Sequence, residues 1–334
     1  MEGTISIKVK LVFDDPQITA AFEQTMERYR QACNLVSQYI FDHDFVLAQK
    51  HLNDALYHRI REQFGLKSQM TQSVIRNVVA RYKTVKTQLA QKPFRYDTGK
   101  KDRFGNAIWE KIPRDLTWLW KPINFSRPQV DLQRGRDWSY LKTGQLSINS
   151  LEGRKKVTPV CHGFDQYFDH SWKFGLAKLL KNGNNWFLHI SATKELPDYN
   201  VDRTQHVVGI DRGLRFLATT YDEQGTTTFT SGRQIMCKRR KYKRLRAQLQ
   251  AKGTKSAKRR LKAIGQRENR WMTDINHQVS KTLVDRYGAN TLFVLEDLAG
   301  VRFATENTRK EDRYENVSWA FFQLEQFLTA KKVV

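Results

Sequence analysis

Residues 206–220 read HVVGIDRGLRFLATT, and this stretch decides the fold of the second half of the chain. The apolar run HVVGID predicts a buried strand that ends at Asp211. FLATTY and TTTFTS predict two further strands, with turns at DRG and DEQG. A helical region follows at about residues 234–287, then a strand at TLFVLED (291–297) and a final helix at SWAFFQLEQFL. Three strands, a helix, a strand and a helix, in this order, are typical of an RNase H-like core.

Two carboxylates, Asp211 and Glu296, lie at the ends of the two strands that run parallel in such a core. Because parallel neighbours end at the same edge of a sheet, we expect these side chains to face each other. Acidic side chains in this position hold divalent ions that activate water in nucleases. Either residue alone is better explained as a capping or solvated strand end, so the hypothesis depends on the pair. Asp297 is expected to point to the opposite face of its strand.

The charge balance indicates a polyanionic partner. The 334 residues include 58 Lys+Arg and 34 Asp+Glu, which leaves a formal net charge of +24. Such an excess favours binding to nucleic acid or to an anionic membrane surface. The membrane alternative is disfavoured, because no apolar run approaches ~20 residues. The start MEGTISIKVKLVF is not typical of a signal peptide, and three separated cysteines favour a reducing cytoplasm.

Basic residues concentrate between residues 233 and 270, where 16 Lys and Arg accompany one acid, Glu268. A solvated helix face normally mixes both signs, as i,i+4 ion pairs do. Repulsion among so many like charges instead predicts a surface that contacts a phosphate backbone. The candidate nucleic-acid contacts are Lys238, Arg239, Arg240, Lys243, Arg244, Arg259, Arg260 and Lys262.

The first half of the chain combines a strand, helices and a β-rich region. Residues 1–15 alternate polar and apolar positions as a strand does. Asp15 before Pro predicts a helix start, and residues 16–90 have a mostly helical pattern. Residues 91–203 contain short apolar runs and a hairpin signal at Asn182 before Gly. We expect a small β-barrel that includes the first strand. Its six tryptophans are expected to be mostly core residues, with nucleobase stacking as the alternative.

Beyond these patterns, the sequence resembles the TnpB proteins of bacterial insertion sequences, which are RNA-guided DNA endonucleases related to type V CRISPR effectors. The resemblance lies in VVGIDRGLRFLATT, KRRKYKRLRAQLQ, KRRLKAIGQRENRWMTDINHQVSKTLVDRYG and TLFVLEDLAGV, in the family's order and spacing. It implies an α+β multidomain fold: a wedge-like β-barrel with a helical recognition insert at 16–90, then a RuvC-type domain at 204–334. It also implies a guide RNA and a double-stranded DNA target as partners, and no membrane.

The family reads a short motif beside its DNA target, and the matching region here is SQMTQSVIRNVVARYK. Gln and Asn side chains suit adenine edges, and Arg suits guanine. A solvated polar helix face explains each of these residues nearly as well. The candidate motif-reading residues are Ser68, Gln69, Gln72, Arg76 and Asn77.

The family continues past this final helix with a strand, a CxxC…CxxC zinc ribbon and a third catalytic Asp, whereas this sequence ends at FLTAKKVV. The resemblance therefore implies an incomplete RuvC domain, in which Asp211 and Glu296 match the first two acids and are vestigial. Mg²⁺ requires near-ideal octahedral oxygen ligands, so two carboxylates are expected to bind it weakly at most. We expect no zinc, no cofactor for DNA binding, and a need for Mg²⁺ only if the nuclease is active.

Three functions are left open by the sequence. The first is a nuclease-inactive, RNA-guided DNA-binding protein that represses transcription, similar to the nuclease-dead TnpB derivatives called TldR. The second is an active Mg²⁺-dependent DNA endonuclease whose last segment is missing from this sequence or supplied in trans. The third is a basic RNA-binding protein without guided targeting, which the paired acids and the motif order disfavour. We expect a bacterial cytoplasmic location, with nucleoid association when DNA is bound.

Overall fold

A computed structural model describes residues 2–161, 163, 165–195, 204–288, 290–298 and 321–333. The chain divides into two compact units, a first unit of residues 2–194 and a second unit that begins at Glu195. The predicted start of the second domain is residue 204, nine residues after Glu195. Residues 196–203, which lie between Glu195 and residue 204, are outside the described residues. The first residues of the predicted final helix, 318–320, also lie outside them.

The first unit is built on a seven-stranded, barrel-like sheet. The strands follow the order β4-β8-β9-β1-β7-β6-β5, and each pair whose register is described is antiparallel. The N-terminal strand therefore lies inside this sheet, as predicted, and a further pair of strands, β2 and β3, forms a separate ribbon. In chain order the strands are β1 (Glu2–Val12), β2 (Phe94–Lys101), β3 (Ala107–Ile112), β4 (Gln129–Leu132), β5 (Trp138–Tyr140), β6 (Leu146–Ser150), β7 (Gly153–Val160), β8 (Lys173–Asn182) and β9 (Asn185–Glu195).

Three helices connect β1 to the rest of the first unit. They are α1 (Pro16–Asp42), α2 (Gln49–Phe64) and α3 (Ser68–Ala90). The predicted helix start is confirmed, because the Asp15 carboxylate accepts a hydrogen bond of 2.8 Å from the Gln17 backbone N–H. The helices and the sheet share one apolar core, to which the alternating side chains of β1 and the inner face of α1 contribute.

The six tryptophans of the β-rich region divide equally between core and surface. Trp138, Trp172 and Trp186 are buried, as expected. Trp109, Trp118 and Trp120 are exposed by 59%, 40% and 81%. The expectation of mostly core tryptophans is therefore wrong for half of them, because these three belong to the β2–β3 ribbon and the segment after it rather than to the barrel.

The second unit is an RNase H-like sheet covered by helices, as the sequence predicted. Strand order is β12-β11-β10-β13, with β10 antiparallel to β11 and parallel to β13. The basic region forms two helices rather than one, because Gly253 adopts a left-handed conformation with φ of 63° between them. The elements are β10 (His206–Asp211), β11 (Phe216–Asp222), β12 (Thr227–Ser231), α4 (Arg233–Lys252), α5 (Lys255–Tyr287), β13 (Thr291–Leu295) and α6 (Phe321–Val333).

Within the described residues of the second unit, the sheet and helices α4, α5 and α6 share one core. Val208, Ile210 and Leu217 of the sheet pack in one cluster with Val279 of α5 and Leu324 of α6. This packing fixes the helices to the sheet through apolar burial, since each buried aliphatic side chain contributes roughly 1.5–3 kcal/mol. Within the described part of the chain, no helix has the length and apolar character required to cross a membrane.

Candidate nucleic-acid interface and acidic strand edge

The two predicted acids lie next to each other at one edge of the RNase H-like sheet. Strand β10 ends at Asp211, and Glu296 directly follows β13. The parallel register pairs Ile210 with Leu295, and the residue that follows each of them in the chain is one of the two acids. Both are exposed. The prediction that Asp297 points to the opposite face of its strand does not apply, because β13 ends at Leu295, before both Glu296 and Asp297. Asp297 is also exposed.

A buried arginine, Arg212, links the ends of the two strands at this edge by hydrogen bonds. The Arg212 side chain is fully buried and donates a hydrogen bond of 2.6 Å to the backbone carbonyl of Glu296. A second nitrogen of the same guanidinium donates to the Glu325 carboxylate of α6 at 2.8 Å. The residue after the first acid therefore fixes the position of the second acid and ties both strand ends to α6. Sequence reasoning missed Arg212, although a charged side chain immediately after a buried strand was a usable signal.

The acidic edge provides oxygen ligands of the kind that Mg²⁺ prefers, but few of them. Among the described residues, no group of three or more His, Cys, Asp or Glu side chains comes close enough to hold a metal ion. Asp211 and Glu296 together fit one hydrated ion, because Mg²⁺ usually keeps several waters and binds through one or two carboxylates. They do not by themselves fit the paired ions of a two-metal nuclease.

The basic helices present a large cationic surface. Of the eight residues predicted to contact nucleic acid, six are exposed and Lys243 is half-buried. The Lys238 ammonium lies 4.3 Å from the centre of the Trp271 ring, which orients it by a cation–π contact. We define the α4–α5 basic surface as Lys238, Arg240, Lys243, Arg244, Arg259, Arg260 and Lys262.

The eighth predicted contact, Arg239, is wrong as a surface residue. Its exposed fraction is 2%, so its guanidinium lies inside the second unit and is not available to a phosphate backbone. The acid Glu268 is also buried and pairs with Arg246 between α5 and α4. The basic region therefore contains buried charged side chains as well as exposed ones. Which residues are buried depends on how the helices pack, and the sequence alone does not show it.

The predicted motif-reading residues all lie on the first turns of α3 but differ in exposure. Ser68, Gln72 and Arg76 are exposed and follow one another at four-residue spacing, so they share one face of the helix. Gln69 is half-buried and accepts a hydrogen bond of 2.9 Å from Arg136 of the barrel. Asn77 is half-buried and its amide nitrogen has no exposed surface. The exposed face therefore retains three of the five candidates.

Comparisons with known proteins agree with this architecture. Residues 189–300 match the OrfB_IS605 family model, described as a probable transposase, and this segment includes Asp211, Glu296 and both basic helices. No protein of curated function matches the chain. A solved Cas12f1–sgRNA–target DNA complex contains a chain with TM-score 0.54 and 14% sequence identity, over 95% of this chain and 71% of that chain. This likeness establishes a shared fold.

A second solved structure, a CRISPR–Cas12f ternary complex, aligns over 93% of this chain and 70% of that chain. Its TM-score is 0.35 and its sequence identity is 12%. The OrfB_IS605 match and the Cas12f1-like fold confirm the resemblance to the TnpB family that the sequence motifs predicted.

Proposed function

We propose that this chain is an RNA-guided DNA-binding protein. In this proposal it carries a guide RNA, binds double-stranded DNA beside a short adjacent motif, leaves the DNA uncut and represses transcription by occupying a promoter. The observation that carries the proposal is the α4–α5 basic surface, which lies on helices packed against an RNase H-like sheet. Such a surface binds phosphates because nucleic acid releases its counterions when Lys and Arg side chains replace them.

The nature of the partners is supported by the fold. The Cas12f1 chain with the same fold was solved with an sgRNA and a target DNA. By similarity, we assign a guide RNA and a DNA duplex to this chain. The α4–α5 basic surface supplies backbone contacts, which give affinity without sequence choice.

Sequence choice in this proposal comes from base pairing and from the adjacent motif. The guide pairs with the target strand, and the protein reads only the short motif beside it. We assign that reading to Ser68, Gln72 and Arg76, because they share one exposed helix face. Arg76 suits a guanine and Gln72 an adenine, by the hydrogen-bonding patterns of the two bases in the major groove.

The lack of cleavage is inferred from the acidic edge. Asp211 and Glu296 lie side by side, and within the described ranges they form no group of three metal-binding side chains. Mg²⁺ ions, when bound in a complete RuvC-type centre, activate water and stabilise the leaving oxygen. The two carboxylates can hold and orient one hydrated ion, while Arg212 keeps the two strand ends together. Two carboxylates on one ion are a weak substitute for such a centre, so we expect the 334-residue polypeptide to bind without cutting.

An active Mg²⁺-dependent DNA endonuclease is the second candidate, and one observation favours it. Asp211 and Glu296 directly follow Ile210 and Leu295, which pair in register on parallel strands, so both acids come to the same end of the strand pair, as a RuvC-type centre requires. A third acid from outside the described residues, or from another chain, completes the centre in this alternative. The two candidates therefore differ in cleavage and agree in guided binding.

The experiment uses the 334-residue polypeptide, co-expressed with the DNA that flanks its gene so that its RNA co-purifies. Sequencing the RNA identifies the guide, and a library of randomised flanks identifies the adjacent motif. The complex is then incubated with Mg²⁺ and a supercoiled plasmid that carries the matched target. The control is the Asp211→Asn, Glu296→Gln double variant, in which both carboxylates become neutral amides of the same size.

The proposal predicts equal target binding by both proteins and no linear plasmid from either. Linear product from the wild type alone would establish the second candidate. If neither protein binds a matched target better than an unmatched one, guided binding is wrong for both candidates. A reporter gene with the target in its promoter tests repression, and unchanged reporter output from an occupied promoter rejects that part of the proposal.

A further inference from the structure

The β2–β3 ribbon is exposed, contains several aromatic residues and does not contribute to the core of the barrel. All residues of β3 are exposed, and Thr98 is the one residue of β2 that is half-buried. The register pairs Phe94 with Ile112 and Asp97 with Trp109. An isolated two-stranded ribbon is marginally stable in water, because it has no third strand or helix on which to bury its apolar side chains. Its exposed apolar surface therefore indicates a binding site.

Among the described residues of the first unit, the most exposed aromatic rings lie in the ribbon and in the segment after it. Phe104 in the ribbon turn is exposed by 75%, Trp109 on β3 by 59% and Trp120 after the ribbon by 81%. The Trp118 and Phe94 rings are in tilted contact with their centres 5.6 Å apart, which gives the ribbon a small apolar base. Three rings are thus presented outward rather than packed inward.

Cations accompany these rings. The Arg103 guanidinium lies 4.8 Å from the centre of the Phe104 ring, and the Lys121 ammonium lies 4.2 Å from that of Trp120. Arg114 lies 5.3 Å from the Trp118 ring. Residues 92–121 contain eight Lys and Arg against four Asp and Glu. The cores of protein–protein interfaces are enriched in aromatic residues and Arg but depleted of Lys, and five of these eight cations are Lys. Rings with adjacent cations instead match unpaired nucleotides, whose bases stack on aromatic groups while their phosphates pair with Lys and Arg.

We propose that residues 94–121 form a stacking site for unpaired bases of RNA, with Phe104, Trp109 and Trp120 as the stacking rings. The inference rests on the proposed function, in which the chain carries a guide RNA. RNA is the expected partner because its loops and single-stranded ends offer unstacked bases, whereas the interior of a DNA duplex does not. Since stacking tolerates any base, this site holds the RNA without selecting its sequence.

The test separates ring stacking from general apolar contact. Full-length protein is titrated with a short oligouridine RNA, and its photo-crosslinks to that RNA are mapped by mass spectrometry. The Trp109→Leu, Trp120→Leu variant removes both rings, and the matched Trp109→Phe, Trp120→Phe variant keeps aromatic faces. Phe322→Ala, which removes an equally exposed ring from α6, is the control for loss of any surface aromatic residue.

We expect crosslinks at Trp109 or Trp120, and an affinity at least fivefold weaker in the leucine variant, with most of it retained in the phenylalanine variant. Equal affinity of wild type and leucine variant, or crosslinks confined to other segments, would overturn the inference. So would a preference for single-stranded DNA over RNA at this ribbon. Binding of oligouridine requires no guide RNA, so the two proposals can fail separately. If the protein binds oligouridine through these rings but never binds a matched DNA target, the proposed function is wrong and the stacking site still stands.

Discussion

Replacing Arg212 by Met is expected to loosen the acidic edge, with a cost that follows from its contacts. The side chain is fully buried and donates charge-assisted hydrogen bonds to the Glu296 carbonyl at 2.6 Å and to the Glu325 carboxylate at 2.8 Å. A hydrogen bond to a charged group contributes about 1.5–3 kcal/mol. Glu325 is 46% exposed, so solvent screening limits that ion pair to about 1 kcal/mol or less.

The expected loss in the free energy of unfolding is therefore about 1.5–4 kcal/mol for Arg212→Met, from these contacts together. The matched variant Glu325→Gln removes only the screened ion pair and should cost less than about 1 kcal/mol. Because the chain has two compact units, local stability is better measured than a single global transition. Amide hydrogen exchange, followed by mass spectrometry, reports it separately for β10, β13 and α6.

Arg212→Met should raise exchange in peptides that cover β13 and α6 and leave the barrel strands unchanged. Glu325→Gln should raise it mainly in α6. Equal and small effects of both variants would refute the reasoning, because the bond to the Glu296 carbonyl would then contribute nothing. Faster exchange throughout both units would also refute it, since the contacts described are local to one sheet edge.

The remaining predictions concern nucleic-acid binding, metal binding and pH. Alanine at Arg240 and Arg244 should weaken RNA retention and reduce the slope of log affinity against log salt by about 1.5, measured by filter binding; an unchanged slope contradicts the assignment. Asp211→Asn should remove Mg²⁺ binding measured by calorimetry and leave target-DNA affinity unchanged. Burial raises the pKa of Asp131 despite its ion pair with Lys178, so the folded state loses stability as pH rises through that raised pKa. Asp131→Asn should therefore raise the melting temperature at neutral pH and not at acidic pH, and a lower neutral melting temperature contradicts this sign.

Much of the second unit could be predicted because the two strands that precede the acids are short apolar runs. The apolar runs that end at Asp211 and before Glu296 have the length of buried strands, and the helical region between them requires a crossover connection. A parallel pair then places both strand ends at one edge, and the structure places the acids there. The start of α1 was equally predictable, because an Asp before a Pro is a local signal that needs no tertiary information.

The side-chain environments could not be predicted in the same way. Arg239 and Arg240 are neighbours in one charge run, yet one is buried and the other exposed. The sequence of α4 contains few apolar residues, so its inner face is not marked by a clear hydrophobic stripe. The buried role of Arg212 depends on its distance to a carbonyl 84 residues further along the chain. Trp109 and Trp138 likewise differ only in whether their strand belongs to the ribbon or to the barrel.

The most direct test of the central claim is one plasmid assay with the purified 334-residue polypeptide and its co-purified RNA in Mg²⁺. We predict guide-dependent binding of the matched supercoiled plasmid, seen as protection of the target site, with the plasmid still supercoiled. Binding that does not depend on the match between guide and target would contradict guided recognition. Efficient conversion to linear plasmid, abolished by Asp211→Asn, would contradict the claim that this polypeptide binds without cutting.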